Sequence, residues 1–187
     1  MAGKRLRRAE ETPLRQAVLA PPSGENAEHR LVRPVLRWKP RLVHDQAMPV
    51  EAIHLGAPRK PELWTVESVR AVAGKGLEGD RHFHADGAAS GQALTLVSAE
   101  VVEDVGLMPG ETRRQVTVRD VDVNSFVGKR FRVGEVECLG VELCEPCRHL
   151  EEMTRPGIIK ELTHRAGINA DILVGGVIRV GDPVVEL

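Results

Sequence analysis

Tyrosine is absent from this chain, and aromatic residues make up only 3% of it. That scarcity argues against single-strand nucleic-acid binding, which stacks bases on aromatic side chains. Neither sign of charge dominates: 26 Lys and Arg stand against 27 Asp and Glu, a formal net charge of −1. No general electrostatic attraction to nucleic acid or to a membrane surface follows. No run approaches the roughly 18 apolar residues of a membrane span. The basic N-terminus also lacks the apolar core of a secretory signal. Cysteine is limited to three residues. An odd count at this spacing makes no disulfide framework, so a cytoplasmic location with free thiols is expected.

What is present suits an ordinary soluble protein, with 42% apolar and 28% charged residues. The 187 residues suffice for one domain whose core needs neither disulfide nor metal, plus an extension. Residues 1–47 are rich in Arg, Pro and Glu, and their apolar residues are isolated. They are expected to form a loosely attached tail, with 48–187 as the domain. A basic patch for phosphate or a partner is the alternative for the tail. Glu10 and Glu11 interrupt the pattern of a mitochondrial presequence.

From Pro49 onward, short segments of β character recur between Gly and Pro punctuation. They are VEAIHLGA, ELWTVESVRAVA, QALTLVS, RRQVTVRDV, KRFRVGEVECLGVEL with a turn at Gly134, and ADILVGGVIRVGDPVVEL with a turn at Gly181-Asp182. Such spacing predicts a barrel or sandwich. SAEVVEDVGL has helical spacing with Ser98 as its expected N-cap. TRPGIIKELTHRAGI reads as a second helix, with Gly167 as its expected C′ residue.

The stretch GVELCEPCRHLEEM carries the most chemistry. A c-type haem anchor needs C-x-x-C-H, and Arg148 stands where that histidine belongs. Structural zinc needs four ligands; Cys144, Cys147 and His149 supply three, with Cys138 or His82 as candidates for the fourth. A cycling dithiol needs a βαβ setting that the β-rich surroundings do not offer. Cys138 reads as a small core residue on a strand. Cys147 follows Pro146 where the chain leaves the sheet, flanked by Arg148 and His149, with RHLEEM able to open a helix. Such surroundings favour the thiolate, the form that attacks sulfur or binds a soft metal. Cys147 is therefore the chemical candidate and Cys144 its neighbour.

Two further stretches bear on ligands. In GKGLEGDRHFHADG, three glycines precede Asp80, Arg81 and His82. The segment can form a backbone concavity for an anion, with Arg81 adding a bidentate fork, or a structural turn held by Asp80 and Arg81. His82 and His84 alternate and would share a strand face. In TRRQVTVRD, Arg113, Arg114 and Gln115 offer phosphate or amide recognition at the start of a strand, or a solvated pair of arginines.

In order, G-L-x-G-D-R-H, R-x-Q-V-T-V, G-K-R-F-R-V-G, L-C-E-P-C, P-G-I and G-G-V-I-R-V-G-D resemble a MOSC domain, the family named after the C-terminal domain of molybdenum cofactor sulfurases. The resemblance runs from about Pro49 to Leu187. It implies a mainly β fold: a largely antiparallel barrel of the pyruvate-kinase type with a few short helices. It implies binding of molybdenum cofactor, a molybdenum-pterin, through the Cys147 thiolate, which matches the cysteine that ligates molybdenum in amidoxime-reducing relatives. Arg81, Arg113 and Gln115 would bind the cofactor, although those relatives carry Asn where this chain has Gln115. Asp80, His82 and His149 would support the pocket.

The implied activity is reduction of N-hydroxylated small molecules with an external electron donor. A second reading is a sulfur carrier, with a Cys147 persulfide loaded by a donor such as a cysteine desulfurase. A third is a binding module without catalysis. The sequence has no lysine motif for pyridoxal phosphate, so no site of its own for that cofactor is expected. It also lacks the separate N-terminal barrel domain of the reductases. Neither nucleic acid nor membrane is expected as a partner.

Overall fold

A computed structural model describes residues 50–58 and 63–187. The extension read over residues 1–47 lies outside the described residues. Eleven strands, three short α-helices and one 3-10 helix follow one another in the described chain: β1 (Val50–Gly56), β2 (Leu63–Val66), β3 (Ser68–Val72), β4 (Gly76–Leu77), β5 (Leu94–Ser98), α1 (Ala99–Asp104), β6 (Val116–Val118), the 3-10 helix (Val123–Phe126), β7 (Arg130–Val133), β8 (Val136–Leu143), α2 (Arg148–Met153), α3 (Ile158–Leu162), β9 (Ile168–Val174), β10 (Gly176–Arg179) and β11 (Val184–Glu186). The mainly β reading holds, and the pairing is largely antiparallel.

An eight-stranded sheet runs in the order β11-β7-β8-β9-β5-β6-β1-β2, and a three-stranded sheet in the order β10-β3-β4. Only β5 and β6 pair in parallel among the described strands, with Leu96 opposite Val116. A parallel pair needs a crossover, which α1 and the loop after it supply. The period of two along β5 sets the layering. Leu94 and Leu96 enter the main core with Ile53, Val116, Phe131, Ile168 and Ile178. Val97 points the other way and meets Val102, Leu150, Ile158 and Leu162 from the three helices. Each such fully buried aliphatic side chain contributes about 1.5–3 kcal/mol.

Several expectations need correction. The sheet does not close into a barrel: among the described residues no ladder joins its end strands, β11 and β2. The turn after β10 bonds to the first residue of β1, Val50 N donating to Asp182 O and Gly181 N to Val50 O. β2 is short, and its Trp64 is exposed, as an edge strand permits. ELWTVESVRAVA splits at Glu67, sending β2 and β3 to different sheets. Ser98 occupies the N-cap of α1 but makes no side-chain cap; its Oγ donates to Val121 O at 2.6 Å instead. α3 ends at Leu162, so Gly167 is not its C′ residue. Gly167 lies at φ +94°, and a Cβ there would run into the Leu96 backbone carbonyl, so glycine allows β9 to approach β5. The turns at Gly134 and Gly181 fall where expected, both at positive φ.

Candidate functional site

Asp80 is buried beneath the site and fastens three segments together. Its Oδ2 accepts from Gly56 N at 2.9 Å. Its Oδ1 accepts from His82 N at 2.9 Å and from Gln115 Nε2 at 2.7 Å. The carboxylate thereby locks the glycine-rich turn against the end of β1 and the start of β6. Arg81 N adds a bond to Gly56 O at 2.6 Å.

The Arg81 side chain crosses Gly56 so closely that a Cβ there would lie 2.6 Å from Nη1. Its Nε donates to His82 Nε2 at 3.0 Å and its Nη2 to Arg113 O at 3.4 Å. Its Nη1 is buried with no hydrogen-bond partner. Burial holds this guanidinium below its ordinary pKa, opposed by Asp80 and reinforced by Arg114. Burial and the Arg81 charge likewise push the His82 imidazole down.

Arg113 and Arg114 part company. Arg113 adopts φ +62° in the turn closed by its N–H to Gly110 O at 2.8 Å. Burial and then Arg81 lower its pKa, while the Cys147 thiol, in its anionic form, and Asp80 raise it. Arg114 is buried and acts as a clamp. Its Nε donates to Ala166 O at 2.8 Å, Nη1 to Thr112 O at 3.2 Å, and Nη2 to Cys144 O at 2.6 Å and Glu145 O at 3.4 Å. Gln115 is also engaged by the protein: Oε1 accepts from Thr95 N at 2.9 Å while Nε2 serves Asp80.

The chain leaves β8 at Leu143, and Cys144 N donates to Gly167 O at 2.8 Å. Cys147 then occupies the N-cap of α2, exposed and without a side-chain cap bond. Cys144 is half-buried, and burial pushes its thiol up, with Arg114 opposing. Cys138 lies in the core on β8, where burial pushes its thiol up to about 12. All three cysteines are free. Arg148 turns away to solvent and pairs with Glu152 at 2.9 Å. Arg113, 34 positions earlier in the chain, lines the same cleft as Cys147, whereas Arg148, the sequence neighbour of that cysteine, does not.

These segments enclose one cleft of about 390 Å³. Arg81, His82, Arg113 and Gln115 line it together with Cys144, Cys147 and His149. His82 and His84 both reach it from the loop after β4, not from a shared strand face as expected. Among the described residues no group of three or more His, Cys, Asp and Glu side chains is placed to hold a metal ion. Sequence reasoning did not anticipate the separate task of Arg114, nor Thr112, whose buried Oγ1 lacks a partner in the cleft wall. Nothing local signalled the former, because the two arginines precede β6 and part at the left-handed turn of Arg113.

A family model described as the MOSC domain matches residues 78–185, more than half of the chain. No curated protein matches the sequence. Among solved structures, the YUAD protein from Bacillus subtilis is similar at TM-score 0.61 and 17% identity, covering 73% of this chain and 93% of that one. YiiM from Geobacillus stearothermophilus gives TM-score 0.57 at 19% identity, over 74% of each chain. YiiM from Escherichia coli gives 0.52 at 16%, over 74% of this chain and 70% of that one. At such identities the likeness concerns the fold. The ordered motifs, the mainly antiparallel architecture and the match over residues 78–185 together establish that the chain belongs to the MOSC domain family.

Proposed function

We propose that the Cys147 cleft holds a molybdenum-pterin cofactor and that the loaded protein reduces N-hydroxylated small molecules. One observation carries this reading: an exposed, uncapped thiol shares a cleft with two guanidiniums, and one of these keeps a buried Nη1 without a partner. The donor set suits the group. Soft thiolate is the ligand type for a thiophilic metal. Guanidinium forks suit a phosphate, and unpaired donors in a cleft wall await an acceptor. A metal that arrives bound to its own pterin needs only one protein ligand, so the lack of a three-residue cluster is compatible with it.

Within this reading Cys147 anchors the metal, while Arg81 and Arg113 receive the anionic end of the pterin. Asp80 and Arg114 keep those groups in place. The bound cofactor would supply the two-electron chemistry. Conversion of a hydroxylamine to an amine and water consumes two electrons and two protons. The electrons come from an external donor protein. His82, kept neutral by burial and by the Arg81 charge, spends its Nε2 lone pair on Arg81 Nε and so holds that guanidinium at the cleft.

The test is molybdenum and oxidised-pterin content of freshly purified protein from molybdate-supplied cells. Stoichiometric metal that is lost in Cys147→Ser supports the reading. Protein without metal or pterin overturns it. The exposure of Cys147 beside half-buried Cys144 favours a second reading, a sulfur carrier loaded by a cysteine desulfurase. Its mark is a mass gain of one sulfur atom on Cys147 in metal-free protein.

A further inference from the structure

Five buried side-chain polar atoms lack a hydrogen-bond partner among the described residues: His54 Nδ1, Arg81 Nη1, His84 Nε2, Thr112 Oγ1 and Thr117 Oγ1. Arg81, His84 and Thr112 line the Cys147 cleft. His54 lines a second cleft, also of about 390 Å³, which the reading above leaves unused. Unpaired buried polar groups are rare and costly, and a cleft wall is where a ligand can satisfy them.

The second cleft is built on a cross-strand pair. His54 on β1 stands opposite Thr65 on β2, and both face the cleft. Gly110, at φ +90°, backs onto the imidazole so closely that a Cβ would lie 2.6 Å from Cδ2, which fixes the ring's position. Leu63, Pro109 and Met153 supply apolar surface. The charges at its rim balance: Arg113 stands with Glu111, whose Oε2 accepts from Met108 N at 2.7 Å. Burial pushes the His54 imidazole down, so at neutral pH the ring is uncharged and offers one donor and one acceptor.

Two links tie this cleft to the first. Arg113 lines both of them. His54 N donates to Gln115 O at 2.8 Å, and Gln115 lines the Cys147 cleft. We propose that the His54 cleft binds the organic reactant of the Cys147 site, an uncharged molecule with an apolar body and an amide-like edge that both donates and accepts. The volume is within the range of small-molecule sites, roughly 300–1,000 Å³. A charged reactant would have to lose its hydration against Leu63, Pro109 and Met153. The assignment of the occupant as a reactant rests on the proposed function; the binding site itself does not.

Benzamide is the probe, titrated into full-length ¹⁵N-labelled protein, with benzoate and benzylammonium as charged analogues of similar size. Saturable shifts of the Thr65, Gly110 and Thr154 amide signals are expected with benzamide, and binding about tenfold weaker or worse with either ion. His54→Leu should weaken benzamide about tenfold, as loss of a buried hydrogen bond does. His54→Gln should retain most of the affinity. Thr65→Val provides the same comparison if His54→Leu does not fold.

Three results would overturn the site: no saturable shift, equal affinity in a folded His54→Leu variant, or a charged analogue binding as well as benzamide. In molybdenum-loaded protein, benzamide should raise KM for an N-hydroxylated substrate and leave kcat unchanged; inhibition that instead lowers kcat alone overturns the reactant role. Metal-free protein that binds benzamide removes the cofactor reading and supports the site. Loaded, active protein that ignores benzamide removes this proposal alone.

Discussion

Arg114 Nη2 donates to the Cys144 carbonyl at 2.6 Å, tying the first turn of β6's approach to the segment that carries both cleft cysteines. Among the described residues, this buried guanidinium donates to backbone carbonyls alone, on Thr112, Cys144, Glu145 and Ala166. It thus shapes the wall of the cleft that Arg113 also lines.

Arg114→Met should therefore destabilise the protein by about 2–4 kcal/mol, because buried carbonyls lose their donors. The denaturant midpoint checks this. An unchanged midpoint would mean that the loop holds itself without the clamp.

The three thiols should react in order of exposure. A disulfide reagent should modify Cys147 first and Cys144 more slowly. Cys138, buried and with its pKa pushed up to about 12, should react only on unfolding. Mass spectrometry of timed samples gives the order, and early labelling of Cys138 would contradict the placement of β8.

The two cleft cysteines should separate by function. Cys147→Ser should change stability by less than about 0.5 kcal/mol, as exposed substitutions do, yet lose metal or persulfide. Cys144→Ala should cost about 1 kcal/mol through packing and keep most activity. Equal loss in both folded variants would make them a working pair.

His54 should give stability a pH dependence of defined sign. Burial depresses its pKa in the folded state below the ordinary 6.5. The unfolded chain then binds more protons in that window, so stability is complete above about pH 6.5 and declines as pH falls through the folded value. His82 acts in the same direction. Urea midpoints from pH 7.5 to 5 should show the decline, and His54→Leu should flatten it. A wild-type curve that rises toward pH 5 would reverse the assignment.

Gly167→Ala should cost roughly 3 kcal/mol, since it combines a positive φ with a collision against the Leu96 carbonyl. Thermal melting checks this. A loss below about 1 kcal/mol would show that β9 can move away from β5.

Much of this protein was already legible in its order of residues. Alternating apolar positions marked β1, β5 and the β7–β8 hairpin, and Gly134 and Gly181 marked turns, because period and turn chemistry are local properties. Cys147 stood out for the same reason: the proline before it takes the chain off the strand. What local pattern could not settle was which distant groups meet. Arg148 adjoins Cys147 in sequence but faces solvent, whereas Arg113 reaches the cleft because a left-handed turn aims it there. Arg114, its neighbour, is turned inward to four carbonyls. Ser98 bonds across the fold to Val121, and Gly167 serves a strand contact rather than a helix end. Sequence alone determined most of the strands, the turns at Gly134 and Gly181, and the place of Cys147 just past a strand. Tertiary structure decided the open sheet and the make-up of both clefts, because strand register and the direction of each arginine follow from packing among segments far apart in the chain.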